Sequence, residues 1–171
     1  NGYAGLYGGY HIGGFGLRAG WIAGSHDLDT KRNIQIPGYV DTPSAGYKAK
    51  TSQPFIEGGY GFRVSNWEIE PYLQWAQVQT QTDGFQETGA AAALTGQSEK
   101  QTVNLYTGGV RFNANLSPSV NQTWLSLRGG IGYRHATGDL YSSSDVAWRN
   151  ASPFTVWGSP ITENATVADV G

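Results

Sequence analysis

The sequence predicts an all-β fold, an antiparallel up-and-down transmembrane β-barrel, and three observations carry that prediction. Apolar and polar residues alternate with a period of two through successive segments, so each segment is a strand with unlike faces. Short and long connections alternate along the chain, the asymmetry of a barrel with tight turns at one membrane face and long loops at the other. Aromatic residues flank the short connections, and rings with an apolar body and a polar edge suit a membrane interface.

The first strand falls at about residues 3–10 and is closed by HIGG at 11–14. FGLRAGWIAGSH, 15–26, sets Phe15, Leu17, Ala19, Trp21 and Ala23 against Gly16, Arg18, Gly20, Gly24 and His26. A long connection near 28–47, rich in turn-forming residues, leads to a third strand over 50–63. VSN at 64–66 then turns the chain into WEIEPYLQWA, 67–76, where Trp67, Ile69, Pro71, Leu73 and Trp75 oppose Glu68, Glu70, Tyr72 and Gln74. The long connection near 80–100 precedes a strand over 101–113, and NANLSPSVNQ at 113–122 is a connection of moderate length. WLSLRGGIGYR, 124–134, sets Leu125, Leu127, Ile131 and Tyr133 against Ser126, Arg128 and Arg134. A third long connection, near 137–153, leads to a broken strand near 163–171. Pro54 and Pro71 each remove a ladder donor on the apolar parity, so a bulge or local break is expected at both. Helical periodicity is confined to AAAAL at 90–94, too short to stand alone.

Parity assigns the faces. Leu17, Trp21, Ile69, Leu73, Trp75, Leu127 and Ile131 are expected to face lipid. Arg18, Glu57, Glu70, Tyr72, Gln74, Arg111, Arg128 and Arg134 take the opposite parity, where both signs of charge meet across a confined lumen. Tyr10 and Phe15 flank the first short turn, Phe62 and Trp67 the second, and Phe112 and Trp124 the third, forming an aromatic girdle at one end.

Composition agrees with an envelope barrel. Of 171 residues only 14% are charged and 25 are glycine, yet the mean hydropathy is −0.39. The polar content is therefore Gln, Asn, Ser and Thr in place of the Lys and Glu of a soluble surface. A net charge of −2 speaks against a nucleic-acid partner. Cysteine is absent, so there is no disulfide or thiolate metal site. His11, His26 and His135 stand far apart without spaced partners, so no metal site and no cofactor is expected. The glycine-rich GLYGG, GGYGF and GGIGY lie inside strands, where small residues leave room for bulky neighbours instead of cradling phosphate.

LYGGYHIGGFGLRAGWIAGSHDLDT, QPFIEGGYGFRVSNWEIEPYLQWAQVQTQTDGFQETGAAAALTG and LRGGIGYRHATGD resemble, in the same order, the C-terminal β-barrel translocator domain of autotransporters, the type V secretion proteins of Gram-negative bacteria. The resemblance runs through nearly the whole chain. It implies a twelve-stranded outer-membrane barrel that serves as pore and anchor for a covalently linked passenger domain, with an α-helical linker in the pore. It also implies insertion by the outer-membrane barrel assembly machinery into outer-membrane lipid. Seven strands fit between Asn1 and Gly171, so residues 1–171 are expected to be the middle of such a barrel, a fragment without the first and last strands.

Two other readings of the residues stay open at this stage. HDLD at 26–29 and RHATGDLYSSSD at 134–145 bring His26, Asp27, Asp29, His135, Asp139 and several serines to the loop end, as a rim-active outer-membrane protease or lipase would require. Asp, His and Ser also commonly end strands and begin loops, so the stretches carry no assigned catalytic residue. A soluble all-β binding module would instead bury the apolar parity as a sandwich core.

Overall fold

A period-two pattern separates two faces only if neighbouring strands hold one register. In this chain, a computed structural model of which describes residues 1–116 and 125–171, the long strands do so. Among the described residues there are fourteen strands: β1 (Gly2–Ile12), β2 (Phe15–Lys31), β3 (Ile34–Ile36), β4 (Tyr39–Asp41), β5 (Ser44–Tyr60), β6 (Phe62–Val64), β7 (Trp67–Thr82), β8 (Phe85–Gln86), β9 (Leu94–Gly96), β10 (Glu99–Asn115), β11 (Ser126–Gly138), β12 (Ser143–Trp148), β13 (Phe154–Trp157) and β14 (Asn164–Val170). The main sheet is antiparallel throughout, in the order β1-β2-β5-β7-β10-β11-β14, with the short β6 beside β7. Each long strand thus pairs with the long strands before and after it, and β1 and β14 lie at the two ends of the order.

The tight turns are two-residue closures. Ile12 pairs with Phe15 across Gly13, whose φ of 59° lies in the left-handed region that glycine enters without a Cβ clash. Val64 pairs with Trp67 across Ser65, which adopts a φ of 54°. The prolines break the ladder without a bulge. Between β5 and β7 the pairing runs to Ser52↔Gln79 and resumes at Phe55↔Ala76 in the same register, skipping Pro54. Opposite Pro71, β5 stops at Tyr60, the Gly61 N–H donates instead to Gly14 O at 2.7 Å, and β6 resumes at Phe62↔Ile69.

The strands are longer than the sequence pattern suggests. β2, β5 and β10 each have 17 residues, about 56 Å at 3.3 Å per residue, against the ~10 residues that span a membrane. The long connections also carry β-structure. β3 and β4 form a hairpin, and β8, β9, β12 and β13 form a second sheet in the order β13-β12-β9-β8, drawn from two separate connections. IQI, YVD and FTVW are too short for alternation to distinguish them from loop, so only their tertiary pairing reveals them. Residues 90–94 form a turn leading into β9, with no helix.

Rows of paired residues define one face of the main sheet. Arg18, Glu57, Gln74, Thr107 and Arg134 make a single row across β2, β5, β7, β10 and β11. The next row toward the tight turns is Gly16, Gly59, Tyr72, Gly109 and Gly132. Below it come Glu70, Arg111, Gly130 and Asp169. The glycines leave the space that their neighbours fill: a Cβ on Gly59 would lie 2.8 Å from Glu70 Oε1, and one on Gly109 would lie 3.0 Å from the Tyr72 ring. Nearer the long connections the same face carries the small apolar residues Ala45, Ala49, Ala76, Val103 and Ala136, all buried.

Gly109→Val should therefore be costly, because its Cβ would also meet Ile131 O at 2.7 Å and Gly132 Cα at 2.9 Å. A loss of about 1–3 kcal/mol is expected, seen as a lower unfolding temperature. Gly58→Ala, on the other face with no atom within 4 Å of its Cβ, should leave that temperature unchanged or raise it.

Candidate functional site

Glu57 of β5 is 3% exposed and is the centre of the polar face. A carboxylate so enclosed needs its lone pairs filled. Arg111 of β10 donates through Nη1 to Glu57 Oε1 at 2.7 Å and through Nη2 to Oε2 at 2.6 Å. Arg18 of β2 donates to Glu57 Oε1 at 2.9 Å, and Gln74 of β7 donates to Oε2 at 3.0 Å. Arg18 also grips Glu70 of β7 through both terminal nitrogens, at 2.5 and 3.0 Å, and Arg111 reaches Glu70 at 3.3 Å. The Arg111 guanidinium carbon sits 3.8 Å above the centre of the Tyr72 ring. Two cations and two anions from four adjacent strands thus form one neutral cluster. Six of the residues that parity sets on this face, Arg18, Glu57, Glu70, Tyr72, Gln74 and Arg111, meet in it.

The remaining two lie on the same face outside the cluster. Arg134 of β11 donates through Nε to Thr107 Oγ1 at 3.1 Å. Arg128 pairs in register with Asn113 near the tight-turn end and, with His11, Arg18, Glu68, Glu70, Arg111 and Asp169, lines a cleft of about 370 Å³.

The other face is apolar over a limited height. Leu17, Trp21, Ile69, Leu73, Trp75, Leu127 and Ile131 all lie on it, with Leu73 74% exposed and Ile131 60%. Tyr10, Phe15, Phe62, Trp67 and Phe112 share that face at its tight-turn end, where the Trp67 and Phe112 rings are 5.7 Å apart. Trp124 lies outside the described residues. Parity alone does not single out a second aromatic row: Trp21, Trp75, Tyr106 and Tyr133 stand where this face turns polar, next to Ser52, Gln77, Asn104 and His135. Its signal is present on β2, β7, β10 and β11, where an aromatic of that parity stands at the upper end of the apolar run.

The histidines of the rim do not converge. His26 lies on the polar face, with its Nδ1 3.4 Å from Tyr3 OH, whereas its neighbours Asp27 and Asp29 point to the other face. Asp27 faces Lys48 at 3.8 Å. His135 lies on the apolar face four strand positions from β2, about 19 Å across the sheet, and contacts Asn164 at 2.9 Å. Asp139 Oδ2 accepts from the Thr102 N–H at 2.8 Å.

Beyond the main sheet, Glu87 ties the connections together. Its carboxylate is 8% exposed and accepts from Arg32 at 3.2 and 2.6 Å and from the Leu94 N–H at 2.8 Å. Arg32 also donates to Ala92 O at 2.9 Å, and Ser44 and Thr88 exchange backbone hydrogen bonds. The Arg32 hydrogen bonds hold the Glu87 carboxyl below the ordinary carboxylate range, against the opposing effect of burial.

Two outcomes follow from these charges. Glu57→Gln leaves two guanidiniums facing one carboxylate, and a loss of about 1–3 kcal/mol in thermal stability is expected. The Glu57→Gln, Arg111→Gln double variant should lose less than the sum of the singles, because the two groups share one cluster. For Glu87, a depressed folded pKa means stability present above the unfolded value of about 4.3 and lost as pH falls through the folded one. Proteolysis of the 83–98 connection should rise below about pH 4, and Glu87→Gln should abolish that pH dependence.

A family profile described as Autotransporter beta-domain matches residues 1–171. An extracellular serine protease of Serratia marcescens is 30% identical over 172 residues, covering 100% of this chain and 16% of the relative. A second extracellular serine protease of Serratia marcescens is 29% identical over 170 residues, covering 99% of the chain. The chain spans about 16% of the length of these curated relatives. A match along its whole length, on an antiparallel up-and-down sheet, places it: the chain belongs to the autotransporter β-domain family, whose β-domain is the translocator and anchor of its own covalently linked passenger in Gram-negative secretion.

Proposed function

We propose that this domain sits in the outer membrane with its apolar face toward lipid and its charged face toward the pore through which the passenger passes. The observation that carries this reading is the contrast between the faces. One holds the neutral Arg18–Glu57–Glu70–Arg111 cluster with Gln74 and Tyr72, and the other holds isolated Leu, Ile and Val between two rows of aromatics. From Trp67 to Trp75 is eight residues along β7, about 26 Å, or roughly 20 Å along the membrane normal at a tilt near 40°. That is close to the ~25 Å apolar band of an outer-membrane barrel.

Arg128 and Arg134 line the same pore in this reading, and the long ends of β2, β5, β7 and β10 project past the membrane on the loop side. The backbone edges of β1 and β14 have no water to bond in hydrocarbon, so further strands of the precursor pair with them. The assembly machinery that inserts outer-membrane barrels is the corresponding partner. The domain itself is assigned no catalytic step, and its rim histidines serve as strand-end contacts. Because the two relatives are named extracellular serine proteases, a protease passenger is the matching proposal for the whole protein.

In the intact precursor, Leu73→Arg should cost about 2–4 kcal/mol if Leu73 lies near the membrane midplane, and surface display of the passenger should fall with the folded fraction. Cysteines placed at Leu73 and Ile131 should react with a lipid-soluble reagent, and those at Glu70 and Arg128 only with a water-soluble one. Normal assembly of Leu73→Arg, or lipid-side labelling at Glu70, would reverse the two faces and end this reading.

A further inference from the structure

The four lysines of the chain, Lys31, Lys48, Lys50 and Lys100, share one parity: all stand on the apolar face of the sheet, beyond its second aromatic row. Two of them fall in a single register row. Ser25 pairs with Lys50, Lys50 with Gln81, and Gln81 with Lys100, so the row crosses β2, β5, β7 and β10 as hydroxyl, ammonium, amide, ammonium. Lys50 and Lys100 are both exposed, and two strand spacings set them about 10 Å apart. Neither has an ion-pair partner among the described residues, while Lys48 in the next row out faces Asp27 at 3.8 Å. The carboxylate of Asp139, near Lys100, is engaged by the Thr102 N–H.

A groove of about 600 Å³ lies beside this row, floored by Gly2, Ala4 and Ala23 and walled by Lys50, Gln79 and Gln81. Small residues there keep the backbone low, so a polar group of several atoms can lie against the sheet between the donors. Just below, Trp21 donates through Nε1 to Ser52 Oγ at 2.8 Å, which marks the level at which the face changes from apolar to hydrogen-bonding.

We infer that the Ser25–Lys50–Gln81–Lys100 row and its groove form a docking site for an anionic lipid headgroup bearing phosphomonoester groups. The inference rests on the membrane placement proposed above. Ser25 stands four residues beyond Trp21 along β2 and Lys100 six beyond Tyr106 along β10, about 10–15 Å outside the aromatics along the membrane normal. There ammonium groups meet the phosphates of a thick headgroup layer, and the Gln and Ser side chains supply hydrogen bonds to phosphate or hydroxyl oxygens. Unpaired cations at that level, with carboxylates kept to the next row or engaged elsewhere, match a negative surface.

The test uses the full-length precursor folded into phosphatidylcholine nanodiscs, with and without diphosphoryl lipid A, and measures the lipid A retained on the extracted protein by native mass spectrometry. The wild type should retain lipid A, and the Lys50→Gln, Lys100→Gln double variant should retain about tenfold less while inserting normally into phosphatidylcholine alone. Lys31→Gln, outside the row, should match the wild type. Equal retention by the double variant and the wild type overturns the site. Displacement of the lipid by millimolar inorganic phosphate assigns the row to free phosphate and overturns the lipid assignment. Failure of the wild type to insert into either disc overturns the membrane placement instead, so the two failures are told apart.

Discussion

Two rows of charge meet across a row of glycines, and the main sheet depends on that meeting. Arg18 and Glu57 stand in one register row, Glu70 and Arg111 in a row four residues further along their strands, and between them run Gly16, Gly59, Gly109 and Gly132 with Tyr72. Rows four residues apart along the strands are about 13 Å apart, too far for a direct ion pair between short side chains. Without Cβ atoms between them, Glu70 leans across Gly59 and Tyr72 lies over Gly109 and Gly132, and both guanidiniums reach both carboxylates. A buried carboxylate such as Glu57 stays ionised only with those partners in place, so a one-residue slip of any of four strands would strand a charge.

The cluster also explains why this face tolerates glycine so well. In an ordinary strand, glycine weakens the ladder through its backbone freedom and its missing side chain. Here its neighbours supply the side chain: the His11 ring fills the space over Gly16, and Phe55, stacked on Tyr7, fills that over Gly20. Polar and aromatic groups thereby cover a face whose own residues are small, and the strands keep their hydrogen bonds. Among the described residues the opposite face carries no such network. Its leucines, isoleucines and aromatics stand largely exposed in the isolated chain, which is the arrangement expected where an apolar environment is the partner.

At the loop end a different principle holds. The second sheet joins β8 and β9 of one connection to β12 and β13 of another, and Glu87 binds Arg32 from a third. These contacts are long-range, and the strands involved have two to six residues. Such segments are stable only because others lie beside them, so their order is a property of the assembled connections and not of any one.

The strand order, the two faces and the tight turns were legible in the residues, because a period of two survives in any sequence whose strands separate apolar from polar surroundings. Leu17, Leu73 and Ile131 on one face and Arg18, Glu57 and Glu70 on the other follow from parity alone. So does the aromatic row at the tight turns, whereas the row of Trp21, Trp75, Tyr106 and Tyr133 required comparing the heights at which apolar runs end on different strands. Family membership was legible too, since the order of segments is carried along the whole chain. Parity tells which face a side chain takes but not which row it joins, and so only the tertiary structure decided that Arg18 reaches Glu70 two strands away. Only the structure decided that Pro54 and Pro71 interrupt the ladder without shifting it, that His26 and Asp27 part to opposite faces, and that the long connections fold into a sheet of their own. Each of these outcomes depends on which strands lie side by side, and that is set by register and hydrogen bonding between segments far apart in the chain.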